Sequence, residues 1–381
     1  MRVLLCPDSF KGCLSAEQVC AALAKGVRDA QPDAAVLAIP LSDGGEGFAA
    51  CAAAVTHGAL HTCTVHDAYF QERCAHFAVS PDGTTAYIEM AQAAGLQGTG
   101  QNCLHTKNAT TLGVGELIAA AADIGCTQIV VGLGGSATTD GGMGALSALG
   151  VSFLGAEGEA LSPIGANMAR VFSIQTAPSF EPYRALQFTY ACDVQNPFYG
   201  ETGAAFVFAP QKGATPDEIQ TLDAGLRQLA GAYHAAFGRD IGKTPAMGAA
   251  GGLCGGLFAA FGGEVQSGFS VLAESCGLAE QIAAADLVLT GEGRTDSQTK
   301  FGKLPARVCV LAKEQGTPCA LISGTITADF SPRAYGFCDA AALLTNGRTV
   351  QDSIKNAEMY LCEAAKLVCE RFLRGHTKLA K

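Results

Sequence analysis

The chain has no tryptophan, few aromatic residues (7%) and few charged ones (16%), while 49% of its 381 residues are apolar. Sparse charge with abundant apolar side chains excludes a disordered polypeptide, which cannot bury enough apolar surface to fold. The formal net charge of −10 argues against a surface for nucleic acid or an acidic membrane. No run approaches the roughly 20 apolar residues of a membrane-spanning helix, and the amino terminus, MRVLLCPDSFKG, carries too short an apolar run for a signal peptide. Several chemistries lack their signatures as well. There is no HExxH or other paired histidine pattern for zinc, no GxSxG elbow for a serine hydrolase, and no Lys-Ser or Lys-Thr pair after the glycines as a Walker loop requires. No CxxC pair occurs, and none of the sixteen cysteines lies within six residues of another. Many sit in apolar or Ala-rich runs (Cys20, Cys51, Cys126, Cys309, Cys362, Cys369), where a reduced cysteine acts as a small hydrophobe. Reduced thiols and a cytoplasmic location are the expectation.

What the chain does have is length for about two domains, and a richness in Gly and Ala that suits helices packed closely on a sheet. It is organised around QIVVGLGGSATTDGGMGALSALG, residues 128–150. Gln128 to Leu133 carries a continuous apolar run that reads as a buried strand, and Met143, Leu146 and Leu149 recur at helical spacing. In the loop between them Gly134 and Gly135 allow close backbone approach, and Ser136, Thr138 and Thr139 add hydroxyls. Such strand-loop-helix junctions bind anions, phosphate above all, through unpaired N–H groups and the helix dipole. The alternative is a tight turn with packing glycines.

Both ends of the chain read as alternating strands and helices. Val3 to Cys6 is a strand running into PDSFKGCLS, with Ser15 and Gln18 forming a capping box; Ala35 to Leu41 is a second strand, followed by SDGGEG. Asp8, Ser9, Lys11 and Asp43 thus follow the carboxyl ends of strands, where open α/β sheets place their ligands. From His61 to Met90 short β-rich runs, turned at Ser80 to Gly83, read as antiparallel hairpins and mark a second domain. A long helix there starts at Thr215, Pro216 and Glu218 and runs to about Phe237. The α/β alternation returns after the Gly-rich segment at Gly248, with strands at Asp286 to Thr290, Cys319 to Ser323 and Ala340 to Thr345.

DLVLTGEGRTDSQT, residues 286–299, is a second glycine turn after a strand and gathers Glu292, Arg294 and Asp296. Its carboxylates could hold Mg²⁺ or take a hydroxyl proton, and the guanidinium could pair with carboxylate or phosphate; a solvated loop with a local ion pair is the alternative. Lys303 follows, where it could reach a phosphate; a solvated lysine at a helix start is the alternative. Asp193, at the end of another strand in CDVQNP, suits a metal or substrate hydroxyls, or else an Asx turn before proline.

Taken in order, DSFKGCLSA, PLSDGGEG, TTLGVGELI, GLGGSATTDGG, CDVQNPFYG, GAAFVFAPQKGA, GAAGGL, DLVLTGEGRTDSQT and GKLP resemble the bacterial type-I glycerate kinases over almost the whole chain. Cys13, where serine is usual, and Cys254 are mild departures. The GLGGSA loop by itself also resembles the phosphate loop of the galactokinase and homoserine kinase superfamily, whose other motifs are missing. The resemblance implies ATP-dependent phosphorylation of D-glycerate with Mg²⁺, at the 2-hydroxyl; the 3-hydroxyl, or another small hydroxy acid, is the alternative, and an NAD(P)-dependent oxidoreductase or a non-catalytic nucleotide-binding module is a more distant one. It implies an α/β fold of two domains: a Rossmann-like (flavodoxin-like) parallel-sheet domain from residues 1–60 and 260–381, and an inserted α/β domain with a mixed sheet from 61–259, the active site lying in the cleft, in a monomer or homodimer. Under it Gly134, Gly135, Ser136, Thr138 and Thr139 take phosphates, Asp8, Ser9, Asp43 and Lys303 take substrate, and Asp193, Asp296, Lys11 and Arg294 carry catalysis. Asp193, Glu292 and Asp296 are the expected metal ligands.

Overall fold

Short β-rich runs of the two chain ends meet in one sheet. The computed structural model describes residues 1–96, 105–297, 299, 303–345 and 347–379. Cys103, and Gln298 and Lys300 to Gly302 of the DSQTKFGKLP stretch, lie outside the described residues. In chain order the strands are β1 (Arg2–Leu5), β2 (Ala35–Ala38), β3 (Ala59–His66), β4 (Glu72–Val79), β5 (Thr85–Glu89), β6 (Gln128–Gly132), β7 (Val151–Leu154), β8 (Ser173–Thr176), β9 (Gln187–Ala191), β10 (Glu264–Gln266), β11 (Leu287–Thr295), β12 (Cys319–Ile326) and β13 (Asp339–Ala342). The chain divides into two compact units, residues 1–43, 54–56 and 269–381, and residues 44–53 and 57–268.

The first unit is a parallel five-stranded sheet in the order β13-β12-β11-β1-β2. Val3 pairs with Leu287 on one side and Val36 on the other. This is the flavodoxin-like order, with its topological switch between β1 and β11, where doubly wound sheets bind ligands. The core side chains Val3, Leu5, Leu287, Leu289, Ala320 and Ile322 pack against Val19, Leu23 and Val27 of the helix Ala16–Ala30 and against Leu361, Ala365 and Val368 of the helix Ala357–Leu379. Fully burying each large aliphatic side chain contributes roughly 1.5–3 kcal/mol. Ser15 and Gln18 form the expected capping box. Some boundaries differ from expectation: β2 ends at Ala38 rather than Leu41 and β13 at Ala342 rather than Thr345, and β11 does not stop at Thr290 but runs to Thr295, because β12 continues beside it and pairs Arg294 with Thr325. Close packing keeps this extension possible, since a Cβ on Gly291 would lie 1.8 Å from the Ile322 carbonyl oxygen. Glu292 and Arg294 are therefore strand residues, not members of a loop.

The second unit carries a six-stranded mixed sheet, β10-β9-β6-β5-β4-β3, and the separate pair β7-β8. β3, β4 and β5 form the expected antiparallel hairpins, and β5, β6, β9 and β10 continue in parallel. Ile129 and Val131 of β6 are fully buried in its core, as are Leu226, Leu229 and Tyr233 of the helix Pro216–Phe237. Thr215 and Glu218 cap that helix reciprocally, with Pro216 in the first turn. Among the described residues no helix is long and apolar enough to cross a membrane, and the fifteen described cysteines are free thiols.

Candidate functional site

In the first unit the segments following β1 and β11 line a cavity of about 620 Å³. The Asp8 backbone N–H donates to the Gly291 carbonyl at 2.9 Å, which carries the β1–β11 pairing past the strand end and brings Asp8 beside Glu292. Asp8 is only 8% exposed. Its Oδ1 accepts from the Ser9 N–H at 2.7 Å. Burial, then the negative charge of Asp43, pushes the Asp8 carboxyl up to about 7, against the opposing pull of Lys11 and of the Ser9 N–H. Lys11 Nζ lies 3.3 Å from Asp43 Oδ2.

Glu292, also buried, accepts at Oε1 from Thr295 Oγ1 (3.0 Å) and Thr299 Oγ1 (2.8 Å). Burial raises its carboxyl, while Thr299, Lys303 and Thr295 oppose the rise. Thr295 Oγ1 also meets Ser323 Oγ at 2.9 Å, so β12 buttresses the site from behind. Lys303, at the start of the helix Leu304–Glu314, places Nζ 3.6 Å from Glu292 Oε2 and 3.5 Å from Asp296 Oδ1. Arg294 Nε lies 3.5 Å from Asp296 Oδ2, with most of its side chain in solvent. Asp8, Ser9, Lys11, Asp43, Glu292, Arg294 and Lys303 thus line one cavity, and Asp296 is held at its edge by Lys303 and Arg294. Three cationic groups and four carboxylates there can hold anionic oxygens and receive a hydroxyl proton. Asp193 belongs to the second unit, exposed just past the end of β9. Among the described residues no group of three or more His, Cys, Asp or Glu side chains is arranged to hold a metal ion.

In the second unit the Gly-rich loop departs from the expected picture of open helix N–H groups. The Asp140 carboxylate accepts from Gly142 N–H (3.0 Å) and Gly144 N–H (3.1 Å), and from the Thr111 N–H and hydroxyl (both 2.7 Å). The start of the short helix Met143–Ala148 is thereby satisfied from within. Thr138 and Thr139 are fully buried, and Thr139 Oγ1 bonds Thr106 Oγ1 at 2.9 Å. Gly135 is exposed and Gly134 partly so, while Ser136 is buried. Lys212, which residue type and spacing do not single out although it falls within GAAFVFAPQKGA, is buried behind this loop. Its Nζ donates to Ser136 Oγ at 2.7 Å and to the Thr138 carbonyl at 2.6 Å. Burial lowers this ammonium to about 7, with Asp140 opposing. Its place within a motif block was the available signal; its burial was not visible in one sequence. Glu89, at the end of β5, is a second omission. It is 1% exposed, accepts from the Ala49 N–H at 3.4 Å, and is pushed up by burial to about 7.

Residues 3–373 match the model of the glycerate kinase family. A relative from Escherichia coli K12 named glycerate 2-kinase is 36% identical over 98% of this chain and 99% of its own length. A glycerate kinase from Haemophilus influenzae is 37% identical, covering 97% of this chain and 98% of its own. A crystal structure from Salmonella typhimurium LT2, provisionally named glycerate kinase 2, superposes with a TM-score of 0.87 at 35% identity over 99% of both chains. None of these relatives favours the hydride-transfer alternative. With motifs, fold and relatives in agreement over the full length, the chain belongs to the glycerate kinase family, a group of ATP-dependent phosphotransferases.

Proposed function

We propose that the enzyme transfers the γ-phosphoryl group of ATP to the 2-hydroxyl of D-glycerate, giving 2-phosphoglycerate and ADP, as a cytoplasmic monomer or homodimer. The observation that carries this reading is the charged end of the first unit's cavity, where Asp8 is buried with its carboxyl near pH 7 beside Glu292 and Lys303. Phosphoryl transfer asks a protein for positioning and charge rather than covalent chemistry. Lys11, Arg294 and Lys303 take anionic oxygens of phosphate and of the glycerate carboxylate. A carboxylate with a pKa near the working pH is suited to receive a proton, so Asp8 accepts the proton of the attacking hydroxyl. In the second unit Gly134, Gly135 and Ser136 present backbone and hydroxyl donors to phosphate, while Thr138 and Thr139 shape the loop from inside.

Glu292 and Asp296 fit Mg²⁺: they converge on one point, since a single ammonium, Lys303 Nζ, stands 3.6 and 3.5 Å from their oxygens. A nucleotide-bound Mg²⁺ takes only one or two carboxylates beside phosphate and water. That ion would neutralise charge developing on the transferred group. Asp193 is assigned to substrate hydroxyls or metal from its place at a strand end. The test is ADP release from ATP on addition of D-glycerate, with phosphorus NMR of the product. A 2-phosphoglycerate signal is expected; 3-phosphoglycerate would overturn the regiochemistry, and glycerate-independent turnover the substrate.

A further inference from the structure

The cavity of the first unit is lined by two chemically different sets of residues. Besides the charged groups its wall takes in Leu343, Leu344, Val350, Ile354 and Ala357. Val350 and Ile354 remain 59% and 52% exposed, an unusual state for two large aliphatic side chains one turn apart on the helix Val350–Lys355. Between them on the same face stands Ser353, 8% exposed, a residue of the cavity wall whose Oγ is itself buried and has no hydrogen-bond partner.

The wall is built rigidly. Thr349 Oγ1 accepts from the Asp352 N–H at 3.1 Å, and the Asp352 carboxylate accepts from the Tyr360 hydroxyl at 2.7 Å and from Asn356 Nδ2 at 2.9 Å. The Arg348 guanidinium lies 3.6 Å over the Tyr360 ring and donates to the Leu343 carbonyl at 3.2 Å, tying the segment after β13 to the helix. Side chains locked in this way hold a site in place without a ligand.

The volume and the chemistry of the two sets select the occupant. A cavity of 620 Å³ lies within the range of about 300–1000 Å³ that encloses a drug-sized ligand. Glycerate has three carbons, each bearing oxygen, and offers nothing to an aliphatic wall. A nucleotide has a flat ring with apolar faces, donors and acceptors on the ring edge, and a polyanionic tail. We infer that the apolar end is the seat of the purine base of the nucleotide, packed against Leu343, Leu344, Val350 and Ile354. The inference rests on the kinase reading, which supplies the nucleotide.

The test is calorimetric titration of the full chain with ADP, and separately with inorganic tripolyphosphate, which has the charge but no base. Ile354→Asp sets a carboxylate against the apolar wall at a half-exposed position. Its Kd for ADP should rise at least about thirtyfold, with tripolyphosphate binding within about threefold of wild type and an unchanged melting temperature. On wild-type protein, photolabelling with 8-azido-ATP should mark residues 343–357, a result that does not depend on any variant folding. A folded Ile354→Asp protein with wild-type ADP affinity, equal losses for ADP and tripolyphosphate, or label outside that segment would each overturn the inference. Binding is read without turnover, so the two readings fail separately. ADP bound as described with no glycerate phosphorylation sinks the substrate assignment alone, and glycerate phosphorylation with label elsewhere sinks the base site alone.

Discussion

Replacing Asp8 by asparagine should stabilise the first unit at pH 8 while removing most of its activity. Asp8 is 8% exposed and faces Asp43 and Glu292, and its carboxyl is pushed from 3.8 to about 7, by burial first and Asp43 second. The folded state therefore binds more protons at this site than the unfolded state between about pH 4 and pH 7. The stability contributed by the site is fully present below the unfolded pKa and is lost as pH rises through about 7. A tenfold change in proton affinity corresponds to about 1.4 kcal/mol, so the rise from 3.8 to about 7 sets an upper bound of about 4 kcal/mol at pH 8. Asparagine keeps the shape and an acceptor for the Ser9 N–H, now 2.7 Å from Oδ1, but carries no charge. The expected gain is about 2–4 kcal/mol at pH 8, shrinking toward zero at pH 4. Loss of the proton acceptor should lower kcat by about 10²–10⁴. Urea unfolding of both proteins at the two pH values, followed with a probe confined to the first unit because two units need not unfold together, gives the stability arm. Steady-state ADP release gives the other. A variant no more stable than wild type at pH 8, or equally stabilised at both pH values, would refute the account of Asp8 as a carboxyl whose proton affinity is raised by its surroundings.

Asp296→Asn should reduce kcat by roughly 10² with the protein still folded, and added Mg²⁺ or Mn²⁺ should restore much of the loss if the carboxylate holds metal; turnover within about threefold of wild type would return Asp296 to a purely local ion pair. Lys212→Met removes a buried amine whose folded pKa is about 7 against 10.5 when free. The unfolded chain binds the extra proton between those values, so wild-type stability relative to the variant should rise as pH goes from 7 to 10, by up to about 4 kcal/mol, and a difference independent of pH in denaturant titrations would contradict the burial. Thiol titration under denaturing, non-reducing conditions should recover nearly all sixteen cysteines, and recovery of only a few would mean disulfides instead.

Local chemistry was legible in the sequence wherever the forces are local. The capping boxes at Ser15 and Thr215, the apolar run of β6 and the hairpins of β3 to β5 depend on neighbours a few residues away, and they stand where spacing and residue type put them. The motif blocks and their order were enough to indicate the glycerate kinase family. Three features needed the folded chain. β11 pairs with β1 across the length of the sequence, and only that pairing brings Asp8 beside Glu292. The extension of β11 to Thr295 depends on the length of its partner β12, so a stretch rich in glycine and charge became strand rather than loop. The Gly-rich loop looked open, but Asp140 and Lys212 fill it from behind, contacts that no spacing rule contains. The physical reason is common to all three. Caps and periodicity follow from residues adjacent in the chain, whereas burial, and with it the protonation of Asp8, Glu89 and Lys212, is set by whatever distant segments pack against them.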